Sequence, residues 1–413
     1  MSGPRAEAPA PRSGPTAWRV LRAPVPESLD APEAWAVHGT VRVGEAIDRE
    51  IHGHADLGLD AATTLVTMTA QQEYKRTVRL VAVADGPRAP GGSGEPGRPD
   101  GSGGSGGSGG PAARGPDPAP VAGDVVGRGL VGLPQKGNTH LAIVYVGVDP
   151  AHRGQGVGKA LWEECLRIAR EAGRTVLLSD SAHAPEPPPG PGALDSPTGS
   201  GRVPLDDPGT RFALSRGFSL EQVMRQSTIT LPPRTDVVDP LRDAARAAAG
   251  DDYRVHLWQD TVPEEWIDDF AVLETRMSTD APSGGLDLEE DPWDADRVRV
   301  ASQSFADRGQ GYLIAVAEHV PSGRLAAFTM VSYPHDRPEV VIQEDTLVLR
   351  EHRGHRLGTL VKIAVLDELA RVRPSSRRIH TWNAQENRHM LAINEALGFE
   401  VASVTAEWQQ RLG

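Results

Sequence analysis

The feature that most constrains this chain is a short turn written twice, 200 residues apart. The first copy is Val148-Asp149-Pro150-Ala151-His152-Arg153-Gly154-Gln155-Gly156-Val157-Gly158, and the second is Val348-Leu349-Arg350-Glu351-His352-Arg353-Gly354-His355-Arg356-Leu357-Gly358. Each copy follows an apolar run of strand length and opens an amphipathic helical pattern. A strand, an Arg/Gly turn and a helix start together form a phosphate cradle. The N–H groups of the first helical turn have no intrahelical acceptor, and the helix dipole favours an anion there. Two copies imply a duplicated unit that binds a phosphorylated ligand.

The two copies come into register once two Gly/Pro-rich stretches are set aside. Residues 86–120 include GSGGSGGSGG, and residues 182–208 include Pro187-Pro188-Pro189. Neither stretch can bury a core, so both read as flexible insertions. Gly217-Phe218 then closes the first unit as Gly398-Phe399 closes the second. The chain divides into a disordered tail (1–16), a first domain (17–231), a linker (232–251) and a second domain (252–413). Each unit predicts a short strand (18–22; 253–258) and then helices (32–52 and 61–76; 263–276 and 292–307). Three strands follow (78–84, 124–132, 139–148; 312–318, 324–333, 339–348), then the motif helix (156–172; 356–372). A buried strand, a helix ending at Gly-Phe and a last strand complete the unit.

Composition narrows the partners. A net charge of −13 argues against nucleic acid, which needs clustered Lys and Arg. It suits a cationic substrate, or plain solubility. No run of about 18 apolar residues is present, so neither a membrane span nor a membrane partner is expected. The N-terminus lacks the apolar core of a secretory signal, which makes the cytoplasm the expected compartment. Cys165 shares a helical face with Val157, Leu161 and Ile168 and reads as buried filler rather than a nucleophile. His38, His52 and His54 lack supporting ligands, so no metal is expected.

Three anion-binding patterns compete for the turn. A Walker A loop fails because Arg153 stands at its first Gly and Ala160 follows Lys159. A dinucleotide fingerprint fails because Gly154, Gly156 and Gly158 are spaced G-x-G-x-G and come after the fourth strand. The pattern [Q/R]-x-x-G-x-[G/A], preceded by V-x-P, fits Arg153 to Gly158. This resembles motif A of the GNAT acyltransferases, and Asn394-Glu395-Ala396-Leu397-Gly398-Phe399 resembles that family's last helix. The resemblance extends from Trp18 to Leu412 outside the insertions and is nearest to tandem GNATs of the mycothiol synthase group, on Met277 to Pro282 and Thr381 to Ala384.

The resemblance implies an α/β (α+β) chain of two consecutive GNAT domains, each a mixed, mostly antiparallel sheet flanked by helices. It implies acetyl-CoA as acyl donor, held by Val148, Arg153, Gly154, Gln155, Gly156, Val157 and Gly158 in the first unit. In the second unit the counterparts are Leu347, Val348, Arg353, Gly354, His355, Arg356, Leu357 and Gly358. Asn383 and Asn387 either face the pantetheine arm or cap a helix. The chain departs from the family at Arg356, where Gly is common. It departs again at Ala213 and Asn394, where a Tyr general acid often stands.

Acetyl transfer to an amine needs a base, oxyanion donors and a protonated leaving thiolate. The fourth strand of the first unit has no carboxylate; Tyr145 could serve there, or simply pack. The matching strand of the second unit carries adjacent Glu344 and Asp345, which on a regular strand face opposite sides of the sheet. The second unit is therefore expected to be catalytic, with one of the two as base. The expected activity is N-acetylation of a small, cationic amine by a monomer or homodimer. A non-catalytic acyl-CoA sensor or scaffold, and a thiol-pathway acetyltransferase, are the competing readings.

Overall fold

Among the described residues, twelve strands from both units join one continuous sheet. The computed structural model describes residues 18–69, 73–84 and 123–413; the expected tail and the 86–120 insertion lie outside the described residues. The first unit contains β1 (Trp18–Arg22), α1 (Trp35–His52), α2 (Ala61–Thr69), β2 (Lys75–Ala84), β3 (Asp124–Pro134) and β4 (Leu141–Val148). It continues through α3 (Val157–Glu171), β5 (Val176–His183), β6 (Ala193–Asp195), β7 (Arg202–Pro204), α4 (Pro208–Ser215) and β8 (Ser219–Thr230). After α5 (Thr235–Ala249), the second unit begins with β9 (Tyr253–Gln259), α6 (Ile267–Asp280), α7 (Ala295–Asp307), β10 (Gln310–His319) and β11 (Arg324–Pro334). It ends with β12 (Val340–Val348), α8 (Leu357–Val372), β13 (Arg378–Ala384), α9 (Arg388–Leu397) and β14 (Glu400–Arg411).

The strand order is β1-β2-β3-β4-β5-β14-β8-β13-β12-β11-β10-β9. All neighbours are antiparallel except β4–β5 and β12–β13. The mixed, mostly antiparallel α/β architecture is thus the one expected. The order also shows an exchange: β14, at the end of the second unit, pairs with β5 of the first, while β8, at the end of the first, pairs with β13 of the second. Val404, Ala406 and Trp408 of β14 lie in the first unit's core, and Ile229 of β8 lies in the second's.

Each unit buries both faces of its sheet. In the first, Val157, Leu161, Cys165 and Ile168 of α3 cover one face, and Ala36 and Val43 of α1 cover the other. Burial pushes the Cys165 thiol up to about 12, so it stays protonated packing. In the second, Leu357, Val361 and Val365 of α8 cover one face, and Phe270 and Leu273 of α6 cover the other.

Three expectations are corrected. The helix expected at 61–76 ends at Thr69, because Lys75 already pairs with Pro134 in the β2–β3 ladder. The segment expected as a linker is mostly α5, whose Val238, Ala245 and Ala249 are buried in the second unit's core. Arg242 of α5 also bridges to Asp367 of α8 at 2.7 Å. Residues 182–208, expected as a structureless insertion, fold into the β6–β7 hairpin, which buries Val203 completely. A hairpin pairs its own backbone polar groups, so a Pro-rich segment can cover a core with only Val203 and Leu194 as apolar anchors.

The connections between paired helices cross over to the neighbouring unit. Between α1 and α2, the Asp56 side chain pairs with Arg378, and the Asp56 carbonyl accepts from Arg337 at 3.1 Å. Between α6 and α7, the Pro282 carbonyl accepts from Gln222 at 2.9 Å, and the Glu289 N–H donates to Asn138 at 2.8 Å. Each unit therefore braces the other on the face opposite its motif helix.

Candidate functional site

In both units the two parallel strands touch and then part. Pairing between β4 and β5 covers only Leu141–Val176 to Ile143–Leu178, and between β12 and β13 only Val340–Arg378 to Ile342–His380. Beyond these points the strands diverge, leaving main-chain edges that face a cleft. Each turn sits at the end of such a strand. Gly154 (φ 75°) and Gly156 (φ 86°) adopt left-handed conformations, and a Cβ built on Gly154 would meet nothing within 4 Å. Neither α3 nor α8 has a side-chain N-cap, whereas Asp207, Asp294 and Asn387 cap α4, α7 and α9. The motif helices thus keep their first-turn donors uncapped, as an anion cradle requires. Gly158 and Gly358 lie under α4 and α9: a Cβ would approach Phe212 at 3.4 Å and Ile393 at 3.3 Å.

The arginines of both turns fold back onto their own unit. Arg153 makes a two-armed contact with Glu50 of α1, at 2.6 and 3.0 Å. Arg353 meets Asp280 of α6 at 2.9 Å, and Arg350 meets the same carboxylate at 3.2 Å. Arg356 occupies the N-cap of α8 with φ 54°, where the first unit has Gly156. Among the rest of the cradle set, Leu347 is buried against α6, and Val148 and Val348 are half-buried on the opposite face. The His355 ring packs against Tyr253 with centroids 5.2 Å apart and planes tilted by 46°.

The second unit concentrates acid beside its cleft. Between β11 and β12 the register slips: Thr329 faces Thr346 and Val331 faces Gln343, so Glu344 and Asp345 together oppose Met330. This two-against-one arrangement is a β-bulge. Gln343 points to the α8 face, where Lys362 donates to it at 3.2 Å, while Leu347 packs on the α6 face. The alternations from these two residues meet at the bulge, so Glu344 and Asp345 both turn to the α6 face instead of opposite ones. The Gln343 amide fixes the bulge by donating to the Met330 carbonyl at 2.6 Å.

Glu274 of α6, buried beneath them, completes a three-carboxylate cluster. Burial and then the charge of Asp345 push Glu274 up to about 8. Burial and then Glu344 push Asp345 up to about 6. Glu344 reaches solvent, yet the protein packed around it raises its pKa, against a hydrogen bond from Ser332 and the charge of Arg308. The cluster suits proton abstraction near neutral pH and attracts a cation.

The first unit differs. Its β3–β4 ladder keeps register from Gly127–Val148 to Gly132–Ile143, without a bulge. Tyr145 stands beside Asp180 of β5 and Glu407 of the exchanged β14. Burial and Asp180 raise the Tyr145 phenol, and burial and Asp180 push Glu407 up to about 8.

Asn387 caps α9 through the Met390 N–H at 3.2 Å. Asn383 accepts from Asn394 at 2.7 Å, and the Oδ1 of buried Asn394 has no partner among the described residues. Sequence reasoning missed Glu274, Asp180 and Glu407. Glu274 is signalled only by its place on the buried face of an amphipathic helix, beside Ala271 and Leu273. Glu407 has no local signal, since its role depends on the strand exchange.

The Acetyltransferase (GNAT) family model matches residues 111–184, a span that ends just past β5 and contains the first turn. Among solved structures, a tandem GNAT protein from the clavulanic acid biosynthesis pathway is similar over 96% of this chain and 99% of its own, with 24% identity and a TM-score of 0.66. A GCN5-related N-acetyltransferase from Sphaerobacter thermophilus is similar over 95% of each chain, with 15% identity and a TM-score of 0.53. No curated protein matches the chain by sequence. The chain carries the GNAT acyltransferase fold twice, and its first turn lies in a GNAT acetyltransferase segment.

Proposed function

We propose that this acyltransferase moves an acetyl group from acetyl-CoA to the amine of a small cationic acceptor, and that its second unit performs the transfer. The observation that carries this reading is the bulge that turns Glu344 and Asp345 to one face above Glu274, beside a cleft that ends at the Arg353–Gly358 turn. The uncapped starts of α3 and α8 fit a pyrophosphate. In the cleft of the first unit the Nε1 of Trp162 is buried without a partner among the described residues, as a donor waiting for a ligand would be. Acetyl-CoA supplies an activated acyl group when bound.

The chain's own residues then have distinct tasks. The turn N–H groups hold phosphate, and the open edge of β12 offers main-chain donors to a developing oxyanion. Glu344 or Asp345 takes the ammonium proton, and the cluster's charge draws the cation in. Kinship with the mycothiol synthase group rests on the segments at 277–282 and 381–384 alone, and this reading does not need it.

The test is incubation with acetyl-CoA and a panel of amines while free thiol is followed. Turnover with an amine that is abolished by Glu344→Gln or Asp345→Asn supports the reading. Tight acetyl-CoA binding with no turnover on any amine would leave the sensor reading instead.

A further inference from the structure

Leu177 of β5 packs under α3, so Ser179, Ser181 and His183 project to that same face. The Ser181 Oγ lies 2.7 Å from His183 Nε2. The His183 ring is wholly buried, and its Nδ1 lies 3.1 Å from the Oδ1 of Asp207, an approach too oblique for a straight hydrogen bond. Asp207 is itself fixed, because the Gly209 N–H donates to the same oxygen at 2.7 Å. A carboxylate facing Nδ1 selects the tautomer with a proton there, which leaves Nε2 as the acceptor and Ser181 as its donor. Trp408, brought by the exchanged β14, donates its indole N–H to Ser181 Oγ at 2.8 Å. The hydroxyl faces a cavity lined by Val144, Ser179, Phe212, Ala213 and Trp408. Ala213 is small, so the cavity reaches the hydroxyl.

We propose that Ser181 is an acyl-accepting nucleophile, activated by His183 and oriented by Asp207, forming a second reactive centre in the first unit. The Oγ attacks the carbonyl carbon of an acyl thioester or activated ester. The Oγ–C bond forms and the bond from carbon to the leaving sulfur or oxygen breaks. The hydroxyl proton passes to His183 Nε2 and then to the departing thiolate or alkoxide, leaving an acyl ester on Ser181. Water or an amine releases the acyl group by the same proton route. With acetyl-CoA as donor the step rests on the preceding reading; the nucleophile itself does not.

The full chain is exposed to a fluorophosphonate probe and to p-nitrophenyl acetate, neither of which contains CoA. The expected result is a single adduct that peptide mass spectrometry places on Ser181. It is absent in Ser181→Ala and forms at least about 100-fold more slowly in His183→Asn, the typical weight of a general base. Ser181→Cys, which keeps the cavity, captures the acetyl group as a thioester if His183→Asn proves unstable. Acetyl-CoA without amine leaves a hydroxylamine-labile acetyl group at the same position. No adduct on the wild-type chain, or equal labelling of Ser181→Ala, overturns the proposal. Labelling by both small probes but not by acetyl-CoA supports the nucleophile and overturns CoA as its donor.

Discussion

In the second unit β12 slips against β11 and turns Glu344 and Asp345 to one face; in the first unit β4 keeps register with β3 and turns Tyr145 there alone. The same contrast runs through the turns. The first has glycine at the helix N-cap, while the second forces Arg356 into a left-handed conformation. A shared scaffold fixes where the cleft lies, and one extra residue in a strand decides how much acid faces it. The first unit then draws Trp408 and Glu407 from the second's last strand, so the two units differ in the side chains along their clefts yet are inseparable in folding.

The largest effect is expected from separating the halves. A chain ending at residue 231 lacks Val404, Ala406 and Trp408 and leaves β5 as an open edge. It should show no cooperative thermal transition, and Trp408→Ala in the full chain should cost about 3–5 kcal/mol in urea unfolding. A monomeric half that melts cooperatively would break the claim of inseparability.

Next come the two turns. Gly358→Glu places an anion at the start of α8, beneath Ile393, and should lower amine acetylation by at least about 100-fold, a loss on the scale of a missing catalytic interaction. Gly158→Glu should spare most of that rate while preventing acetyl-CoA from labelling Ser181. Loss of amine turnover on Gly158→Glu alone would reverse the division of labour.

Glu274 gives a smaller, pH-dependent effect. Its folded pKa, about 8, lies above the ordinary 4.5, so the folded state holds the proton more tightly than the unfolded chain. That stability is fully present below pH 4.5 and is lost as pH rises through about 8. The total at stake is on the order of 5 kcal/mol. Glu274→Gln, which does not ionise, should melt several degrees above the wild type at pH 9 and alongside it at pH 4. Equal melting temperatures at both would show that Glu274 ionises freely. On the kinetic side, kcat/KM should rise with pH through about 6 if Asp345 is the base.

The smallest effect sharpens the contrast between the turns. Arg356→Gly removes left-handed strain of about 1–2 kcal/mol but loosens the unfolded chain by about 0.4–1 kcal/mol. Net stabilisation should lie between about 0 and about 1.6 kcal/mol in urea titration. A weaker hold on acetyl-CoA in the same variant would show that the Arg356 charge contributes to the cradle.

The sequence by itself determined the duplication, the element order and the two turns. These depend on local rules: apolar periodicity, glycine where φ is positive, and unpaired N–H groups at a helix start. It also marked Glu344 and Asp345, since an acidic pair inside an apolar strand is conspicuous. The facing of that pair depended on which residue of β11 met which of β12, and only the assembled ladder fixes a bulge. The linker became α5 because a hydrophobic surface on α8 was there to receive it. Glu274, Glu407, and Ser181 with His183 and Asp207 come together only through packing. Ser181 and His183 share a face by strand alternation, but Asp207, Glu274 and Glu407 are distant in sequence from the groups they meet, and nothing in their immediate neighbours encodes those contacts. Strand exchange is the extreme case: the last strands of the two units satisfy the same local pattern, and only the tertiary structure decides which sheet each one enters.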